Sequence, residues 1–240
     1  MQNTHTIIHD IEAPDERAGI ELENILEHAQ HTPVLLLTSG GSAMSLLEHV
    51  SPVVLGSYLT IAVLDERYSE DPEINNFAQL KETRFYKSAK EAGCSFIDTT
   101  VQVGEDISGL TERFEHALRG WRNDNPDGVV IATLGIGTDG HVAGMMPYPK
   151  DEDIFITQFN GPAWVIGYDA GDKNKYPMRV TVTNTFLAEE VQSVLVFARG
   201  EEKAEILTQV LSAPGPSHEL PAYILHDLKN VTVVTDCEIE

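Results

Sequence analysis

IATLGIGTDGHVAGMMP, residues 131–147, is the stretch that decides how this chain folds. The apolar run at 129–134 predicts a buried β-strand, and the glycines that follow predict a tight loop. A buried strand that runs into a glycine-rich loop is typical of open α/β sheets, which present functional groups at the carboxyl ends of their strands. This loop contains a carboxylate and an imidazole two residues apart, Asp139 and His141.

The Asp-Gly-His sequence of this loop has two interpretations. In the first, Asp139 fixes the tautomer and orientation of His141, which then transfers protons near neutral pH. In the second, Asp139 caps a following helix and His141 is a surface residue. An isolated Asp-Gly-His favours the second interpretation, so the rest of the chain has to decide between them.

A glycine pair follows an earlier predicted strand, at 34–37, in the sequence Ser39-Gly40-Gly41-Ser42. A helix is predicted from residue 43, so backbone N–H groups and the positive end of a helix dipole meet at this loop. That arrangement suits a phosphate group. A plain tight turn explains the glycines equally well, and the Gly-Lys-Ser/Thr ending of a Walker A loop is absent.

Basic residues at strand and helix ends are the other candidates for a binding site. Three charged residues, Asp65 to Arg67, directly follow a predicted strand at 59–64, and they form either a solvated strand end or a site. The guanidinium of Arg67 suits a neighbouring carboxylate or a phosphate. Lys203 lies in the first turn of a predicted helix at 201–211, where a cation is unfavourable unless it is solvated or faces an anion.

Strands alternate with helices along the whole chain, which predicts a single α/β domain over residues 1–240 with a largely parallel sheet flanked by helices. The region 148–178 is the least periodic and is predicted to be a long connection with one strand. Further strands are predicted at 94–97, 163–167, 179–183, 193–198 and 231–235, and helices at 14–30, within 70–86 and at 108–122.

Composition restricts the functional classes. The chain has 240 residues, 42% of them hydrophobic, and 16 Lys plus Arg against 38 Asp plus Glu give a net charge of −22. Such a charge repels nucleic acid and anionic membranes, so neither is an expected partner. The two cysteines lack metal-ligand spacing and are expected to be reduced. Without a signal-peptide pattern or an apolar run of membrane-span length, the expected location is the cytoplasm.

Four stretches together resemble one family. SGGSAMSLL, LDERYSEDPEINN, LGIGTDGHVAGMMP and MRVTVT followed by RGEEKAEIL occur in the order and spacing of the 6-phosphogluconolactonases, whose superfamily includes the glucosamine-6-phosphate deaminases/isomerases. The resemblance covers residues 34–211 and implies a modified Rossmann-like fold. It also implies hydrolysis of 6-phospho-D-glucono-1,5-lactone in the oxidative pentose phosphate pathway. Because a δ-lactone is already activated, no metal, cofactor or covalent nucleophile is required.

The resemblance also implies roles for individual residues. His141 matches the catalytic general base and Asp139 the carboxylate that orients it. N–H groups of the loop 137–140 are candidates for stabilising the carbonyl oxygen. The positions implied for substrate and phosphate binding are Gly40, Gly41, Ser42, Asp65, Arg67, Asn76, Gly137, Arg179 and Lys203.

Departures from the family pattern help to separate the two enzyme classes. The deaminases have a glutamate five residues after the histidine, where this chain has Met146, which cannot ionise. They also tend to have Asp-Glu-Tyr in place of Asp-Glu-Arg, so both differences favour a lactonase. Gly144, Met145 and Met146 replace a serine, a leucine and a phenylalanine of the lactonases, which predicts a changed shape beside the sugar ring. Asn75 replaces the serine that precedes Asn76.

Two alternatives remain open. One is an amino-sugar-phosphate deaminase or isomerase. The other is a catalytically inactive sugar-phosphate sensor, since some transcription regulators use the same superfamily fold. A sensor would need the glycine loop and Arg67 but not a competent His141. The chain shows no helix-turn-helix segment or basic DNA-contact region, which speaks against the sensor.

Overall fold

A seven-stranded parallel sheet forms the centre of the computed structural model, which describes residues 4–239. Its strands are β1 (Thr4–His9), β2 (Val34–Thr38), β3 (Leu59–Val63), β5 (Ser95–Phe96), β6 (Val129–Leu134), β9 (Val191–Ala198) and β10 (Asn230–Thr235). The spatial order is β1-β10-β9-β6-β2-β3-β5, and every neighbouring pair is parallel. The predicted α/β architecture with a largely parallel sheet is confirmed.

The central strand β2 explains why helices cover both faces of this sheet. All five of its residues are buried, as expected of a parallel strand covered on both faces. Alternate side chains enter two separate hydrophobic cores, with Leu35 in one and Leu36 in the other. Phe114 packs in the first core and Leu22 in the second, so their two helices lie on opposite faces of the sheet.

Seven α-helices surround the sheet in the described part of the chain. They are α1 (Pro14–Ala29), α2 (Asn76–Glu82), α3 (Arg84–Glu91), α4 (Ile107–Asp124), α5 (Glu152–Phe159), α6 (Asn184–Glu190) and α7 (Ala204–Ser212). Short 3₁₀ helices occur at Gly41–His49, Pro52–Val54, Gly171–Lys173, Glu201–Lys203 and Pro221–His226. Within the described residues, no helix is long and apolar enough to cross a membrane.

A second, antiparallel sheet was not predicted. It consists of β4 (Asp65–Arg67), β8 (Met178–Val182) and β7 (Val165–Asp169), in that order. The charged residues from Asp65 to Arg67, expected to form either a solvated strand end or a site, are a strand themselves, because their backbone groups pair with β8. In this register Arg67 lies directly opposite Arg179 and Asp65 opposite Thr181.

Some element boundaries also differ from the prediction. The single helix expected within 70–86 is two helices, because Thr83 has an extended backbone and its side chain accepts a hydrogen bond from Tyr86 N to cap α3. The helix after the glycine pair is a 3₁₀ helix. The long connection at 148–178 contains α5, whose short apolar run gave no clear helical period, and β1 and α6 had no predicted counterpart.

Candidate functional site

The predicted site residues meet in one cavity of about 170 Å³ at the carboxyl ends of β2 and β6. All the substrate-binding positions expected from the sequence line this cavity, and so does His141. Asp139 does not line the cavity but contacts the ring of His141. Five lining residues were not predicted as site residues, since nothing distinguishes them in the sequence. The cavity is lined by Ser39, Gly40, Gly41, Ser42, Ala43, Asp65, Arg67, Asn76, Gly135, Ile136, Gly137, His141, Ala143, Arg179 and Lys203.

The carboxylate of Asp139 holds the imidazole of His141. Asp139 Oδ1 lies 2.5 Å from His141 Nδ1 and also accepts a hydrogen bond from the backbone N–H of His141 at 3.2 Å. No helix starts directly after Asp139, since the next α-helix, α5, begins at Glu152. The alternative interpretation, in which Asp139 caps a following helix, is therefore wrong.

The protonation of this pair follows from the surroundings of Asp139. Burial raises the pKa of Asp139, but the hydrogen bonds and charge of His141 outweigh burial, so the pKa lies below its ordinary value. An ionised carboxylate only accepts hydrogen bonds, which places the imidazole proton on Nδ1 of His141. In the neutral imidazole, Nε2 is then the nitrogen with the lone pair, as a general base requires.

Gly137 is required because the ring of His141 occupies the space of a side chain. A Cβ atom at Gly137 would lie 2.1 Å from His141 Nδ1, a distance that no conformation relieves while the ring stays in place. The N–H of Gly137 donates to the carbonyl of His141, and the N–H of Gly140 donates to the carbonyl of Gly137, both at 2.9 Å. These two N–H groups are already paired, so the expectation that they stabilise a substrate oxygen is wrong for both.

Ala143, two residues after the imidazole, has a left-handed backbone with φ of +49°. Among the described residues it is the only non-glycine residue with positive φ, and it lines the cavity. Such a conformation costs of order 1–3 kcal/mol and persists only where the surroundings impose it. Here the next residue is fixed, because the N–H of Gly144 donates to Thr181 Oγ1 at 2.9 Å. The sequence gives no signal for this strain.

The two glycine loops are joined by side-chain hydrogen bonds. The N–H of Ser39 donates to Thr133 Oγ1 at 3.0 Å, and the N–H of Gly135 donates to Ser39 Oγ at 3.1 Å. The 3₁₀ helix begins at Gly41, with φ of +64°, two residues earlier than the predicted helix. Its first N–H groups have no partner inside the helix, so this wall of the cavity remains suited to an anion.

Arg67 and Arg179 lie directly opposite each other on β4 and β8, and both line the cavity. Like charges in this position repel unless an anion compensates them. Asp65 compensates one of them, since Arg179 Nη2 lies 2.7 Å from Asp65 Oδ2 and both side chains are only 5% exposed. The Nε atoms of both arginines are buried and have no hydrogen-bond partner among the described residues.

Arg67 differs from every other arginine of the described chain, because it has no carboxylate partner. The pairs formed by the other seven are Arg17–Glu21, Arg84–Glu48, Arg113–Glu105, Arg119–Glu115, Arg122–Glu190, Arg179–Asp65 and Arg199–Asp15. In a protein with a net charge of −22, an unpaired arginine inside a cavity indicates a place for an anionic ligand.

Lys203 adds a second unpaired cation to the cavity. Its side chain is 8% exposed, and over residues 4–239 its amine has no ion pair or hydrogen bond. Burial lowers the pKa of Lys203, while the charge of Glu202 opposes that effect. An anionic ligand would favour the charged form of the Lys203 amine. Such a ligand would also account for a cation without a protein partner near the start of α7.

Asn76 lines the cavity with its side chain in a fixed orientation. Its Nδ2 donates to the carbonyl of Asp65 at 2.8 Å, so rotating the amide would set two acceptor oxygens against each other. Asn76 Oδ1 is buried and has no partner in the described part of the chain. A Cβ at Gly40 would lie 2.5 Å from this side chain, so only glycine allows the contact.

Glu66 supports Asn76 from behind and was not predicted as a site residue. Its carboxylate accepts hydrogen bonds from the N–H groups of Asn76 and Phe77, at 2.8 and 2.7 Å, and from Thr99 Oγ1 at 2.7 Å. Burial outweighs these hydrogen bonds and raises the pKa of Glu66 to about 8. The sequence shows that Glu66 is charged but does not show that it is buried. Its burial depends on the packing of β4 against α2.

The structure explains the departures from the family pattern. Asn75 Oδ1 accepts a hydrogen bond from Ala78 N and caps α2, a position where asparagine and serine are equally suitable. Met145 and Met146 are fully buried in the core and do not line the cavity, contrary to the expected change beside the sugar ring. Gly144 packs against Thr181, where a Cβ would lie 2.8 Å from the threonine Cβ.

No group of three or more His, Cys, Asp or Glu residues within 4–239 is arranged to hold a metal ion. Cys94 and Cys237 are buried free thiols, and neither lines the cavity. The side chains that can act on a ligand here are therefore the histidine, the cations and the amide described above.

A parallel sheet with a cationic cavity at its strand ends, containing a histidine held by an aspartate, defines an α/β protein whose cavity is suited to a small anionic ligand. The model of the family described as "Glucosamine-6-phosphate isomerases/6-phosphogluconolactonase" matches residues 13–234. The chain therefore belongs to this family.

Relatives support this assignment. A 6-phosphogluconolactonase from Thermotoga maritima is 30% identical over 163 residues, which cover 67% of this chain and 64% of that protein. A 6-phosphogluconolactonase from Xylella fastidiosa is 29% identical over 199 residues, which cover 80% and 78%. The solved structure of "6-phosphogluconolactonase from Plasmodium vivax" has a TM-score of 0.74 at 17% identity, covers 98% of this chain and 90% of that chain, and shows the shared fold.

Proposed function

We propose that this chain hydrolyses 6-phospho-D-glucono-1,5-lactone to 6-phosphogluconate, a reaction of the oxidative pentose phosphate pathway. The observation that supports this best is the juxtaposition, in one cavity, of the Asp139–His141 pair and the unpaired Arg67. The first provides a proton acceptor, and the second provides a charge that only a ligand can compensate.

The phosphate of the substrate binds at the cationic end of the cavity. Arg179 is already neutralised by Asp65, so Arg67 and Lys203 leave two positive charges, which match a phosphate dianion. The first N–H groups of the 3₁₀ helix at Gly41–His49 complete this end. Binding energy from the phosphate fixes the distant lactone ring against the imidazole.

Asn76 contacts the sugar and not the phosphate. A phosphate dianion offers only acceptor oxygens, while the free group of Asn76 is the acceptor Oδ1. A sugar hydroxyl is the donor that satisfies this atom. A buried acceptor without its donor costs about 1–3 kcal/mol, which favours ligands that place a hydroxyl there.

His141 acts as the general base. Its Nε2 takes a proton from water while the water oxygen attacks the lactone carbonyl carbon. When the tetrahedral intermediate collapses, the bond from that carbon to the ring oxygen breaks, and His141 returns the proton to the ring oxygen. Asp139 keeps the imidazole in the required tautomer and stabilises its charged form. The reaction needs positioning and proton transfer, with no metal or covalent intermediate.

The carbonyl oxygen of the intermediate needs donors other than the N–H groups of Gly137 and Gly140, which are already paired. Arg179 is the strongest candidate, because it lines the cavity and has a buried Nε–H group without a partner among residues 4–239. A charged donor in a site that excludes water stabilises a developing oxyanion strongly.

The deaminase alternative is less well supported. The position where the deaminases have a glutamate is Met146, which is fully buried in the core. No ionisable side chain therefore stands at that position to set the protonation of the histidine. A sensor would use the same cations, but the Asp139–His141 pair is more than a binding site requires.

The decisive test follows acid release from the lactone. A glucose-6-phosphate dehydrogenase generates the lactone in situ, and a pH indicator records hydrolysis with and without this protein, after subtraction of spontaneous hydrolysis. We expect a large acceleration with the lactone and no ammonia release from glucosamine 6-phosphate. Tight binding of 6-phosphogluconate without acceleration would support the sensor, and ammonia release would support the deaminase.

A further inference from the structure

The unpaired guanidinium of Arg67 lies over an aromatic ring. Its Cζ atom is 4.9 Å from the centroid of the Tyr176 ring, within the range of a cation–π interaction. Arg67 lines both the functional cavity and a neighbouring cavity of about 180 Å³, and Tyr176 lines only the second. The ring therefore contacts Arg67 from outside the functional cavity.

The loop that presents Tyr176 is fixed at several points. The N–H of Tyr176 donates to Asn174 Oδ1 at 3.0 Å, which forms a tight turn directly before the ring. The N–H of Ala170 donates to the carbonyl of Pro177 at 2.8 Å and closes the loop across its base. After the loop, the chain continues directly into β8, the strand that contains Arg179.

An aromatic ring and a carboxylate hold an arginine with different consequences. A carboxylate neutralises the guanidinium and competes with a phosphate for its N–H groups, as Asp65 does at Nη2 of Arg179. A ring face attracts the guanidinium and restricts its motion but leaves its N–H groups and its charge free. Within residues 4–239, Arg67 is the arginine that lies over an aromatic ring and has no carboxylate partner.

We propose that Tyr176 is a positioning residue, which holds Arg67 in the orientation that receives the phosphate while leaving its charge uncompensated. The inference rests on the proposed phosphate site, and it adds to it a residue that does not touch the substrate. The ring also lies 5.0 Å from Lys175 Nζ, so any test has to separate the two cations.

Binding of the product provides the first test. The dissociation constant of 6-phosphogluconate is measured by calorimetry for the parent, Tyr176→Leu and Tyr176→Phe. We expect Tyr176→Leu to weaken binding by about threefold to thirtyfold, and to raise KM similarly while changing kcat less than twofold. Tyr176→Phe keeps the ring and restores binding to within about twofold. Equal losses in the two variants would overturn the proposal.

Two controls make the test specific. Trp121→Leu removes the ring beneath Arg122, 5.3 Å away, but that arginine keeps its pair with Glu190 and lies outside the cavity. It should leave the dissociation constant unchanged. In an Arg67→Ala background, Tyr176→Leu should have no further effect. A full additional loss there would show that Tyr176 acts through Lys175 or through loop stability, and the proposal would fail.

A measurement on the unliganded protein separates this proposal from the proposed function. ¹⁵N relaxation of the Arg67 Nε–H group should show an ordered side chain in the parent and in Tyr176→Phe, and a mobile one in Tyr176→Leu. If the parent binds no sugar phosphate, the proposed function fails while this readout still decides the positioning role. If the Arg67 side chain is as ordered in Tyr176→Leu as in the parent, the positioning role of Tyr176 is overturned.

Discussion

The two sheets contribute different parts of the site. The parallel sheet ends in the glycine loops and so presents His141 and the N–H groups of the Gly41 helix start, both within a few residues of a buried strand. The small antiparallel sheet presents Arg67 and Arg179 from strands that lie far apart in the chain. The parallel sheet therefore supplies the histidine, and the small sheet supplies both arginines of the cavity.

This division has a consequence for kinetics. A change in the histidine loop should affect the chemical step and leave ligand binding intact, because the proposed position of the phosphate is at the cationic end of the cavity. A change in the small sheet should affect binding or stability first. Mutations in the two regions are therefore expected to separate kcat from KM.

The largest effect is expected for His141→Asn. The variant keeps polarity and approximate size but cannot accept a proton near neutral pH, so kcat should fall by roughly 10²–10⁴-fold. The dissociation constant of 6-phosphogluconate should change little. Asp139→Asn should reduce kcat less, because it misplaces the imidazole proton without removing the base. His116→Asn, an exposed histidine on α4, is the matched control and should leave kcat unchanged. A folded His141→Asn protein with parental kcat would refute the mechanism.

Arg179→Leu is expected to affect stability more than any other change in the small sheet. It leaves the buried Asp65 carboxylate unpaired, which costs about 3–5 kcal/mol in free energy of unfolding, measured by urea denaturation. Removing both charges in Asp65→Leu/Arg179→Leu should cost less than Arg179→Leu alone. The exposed pair of Arg84 and Glu48 serves as control, and Arg84→Leu should cost less than about 1 kcal/mol. Equal losses in free energy of unfolding for Arg179→Leu and Arg84→Leu would contradict the expected cost of leaving the buried Asp65 carboxylate unpaired.

Arg67→Ala should mainly weaken binding. Loss of a charge-assisted contact is expected to reduce phosphate affinity by roughly 1.5–3 kcal/mol, seen as a higher KM and a weaker dissociation constant of 6-phosphogluconate. Stability should change little, since Arg67 has no carboxylate partner to leave behind within the described chain. Tight product binding by this variant would remove Arg67 from the phosphate site.

The last prediction concerns Glu66 and pH. Burial raises the pKa of Glu66 to about 8, so the folded protein keeps a proton that the unfolded chain loses near pH 4.5. Stability from this group is complete below the unfolded pKa and is lost as the pH rises to about 8. The free energy of unfolding of the parent should therefore fall over this range relative to that of Glu66→Gln, which cannot titrate. Parallel pH profiles for the two proteins would contradict the raised pKa.

The sequence was most informative where function depends on local order. A buried strand followed by glycines predicted the loop, and the spacing of Asp139 and His141 predicted their contact, which the structure shows at 2.5 Å. Gly137 is explained by the same local contact, because the histidine ring fills the position of its side chain. Residues separated by a few positions meet whatever the rest of the chain does, so such contacts can be read from sequence.

The sequence was least informative about the small sheet. The charged run from Asp65 to Arg67 suggested a strand end, because three consecutive charges give no strand period. Pairing with β8 makes it a strand and buries Asp65 and Glu66. Nothing local identifies Asp65 as the partner of Arg179, or Tyr176 as the ring beside Arg67.

The sequence alone determined the parallel α/β architecture, the strand-end loops and the closeness of Asp139 to His141, because hydrophobic period and glycine positions specify local backbone. Only the tertiary structure decided which cations are neutralised and which are free. That distinction depends on contacts between residues more than a hundred positions apart, as in the Arg179–Asp65 pair. It also depends on burial, because a charged side chain that is removed from water needs a partner of opposite charge.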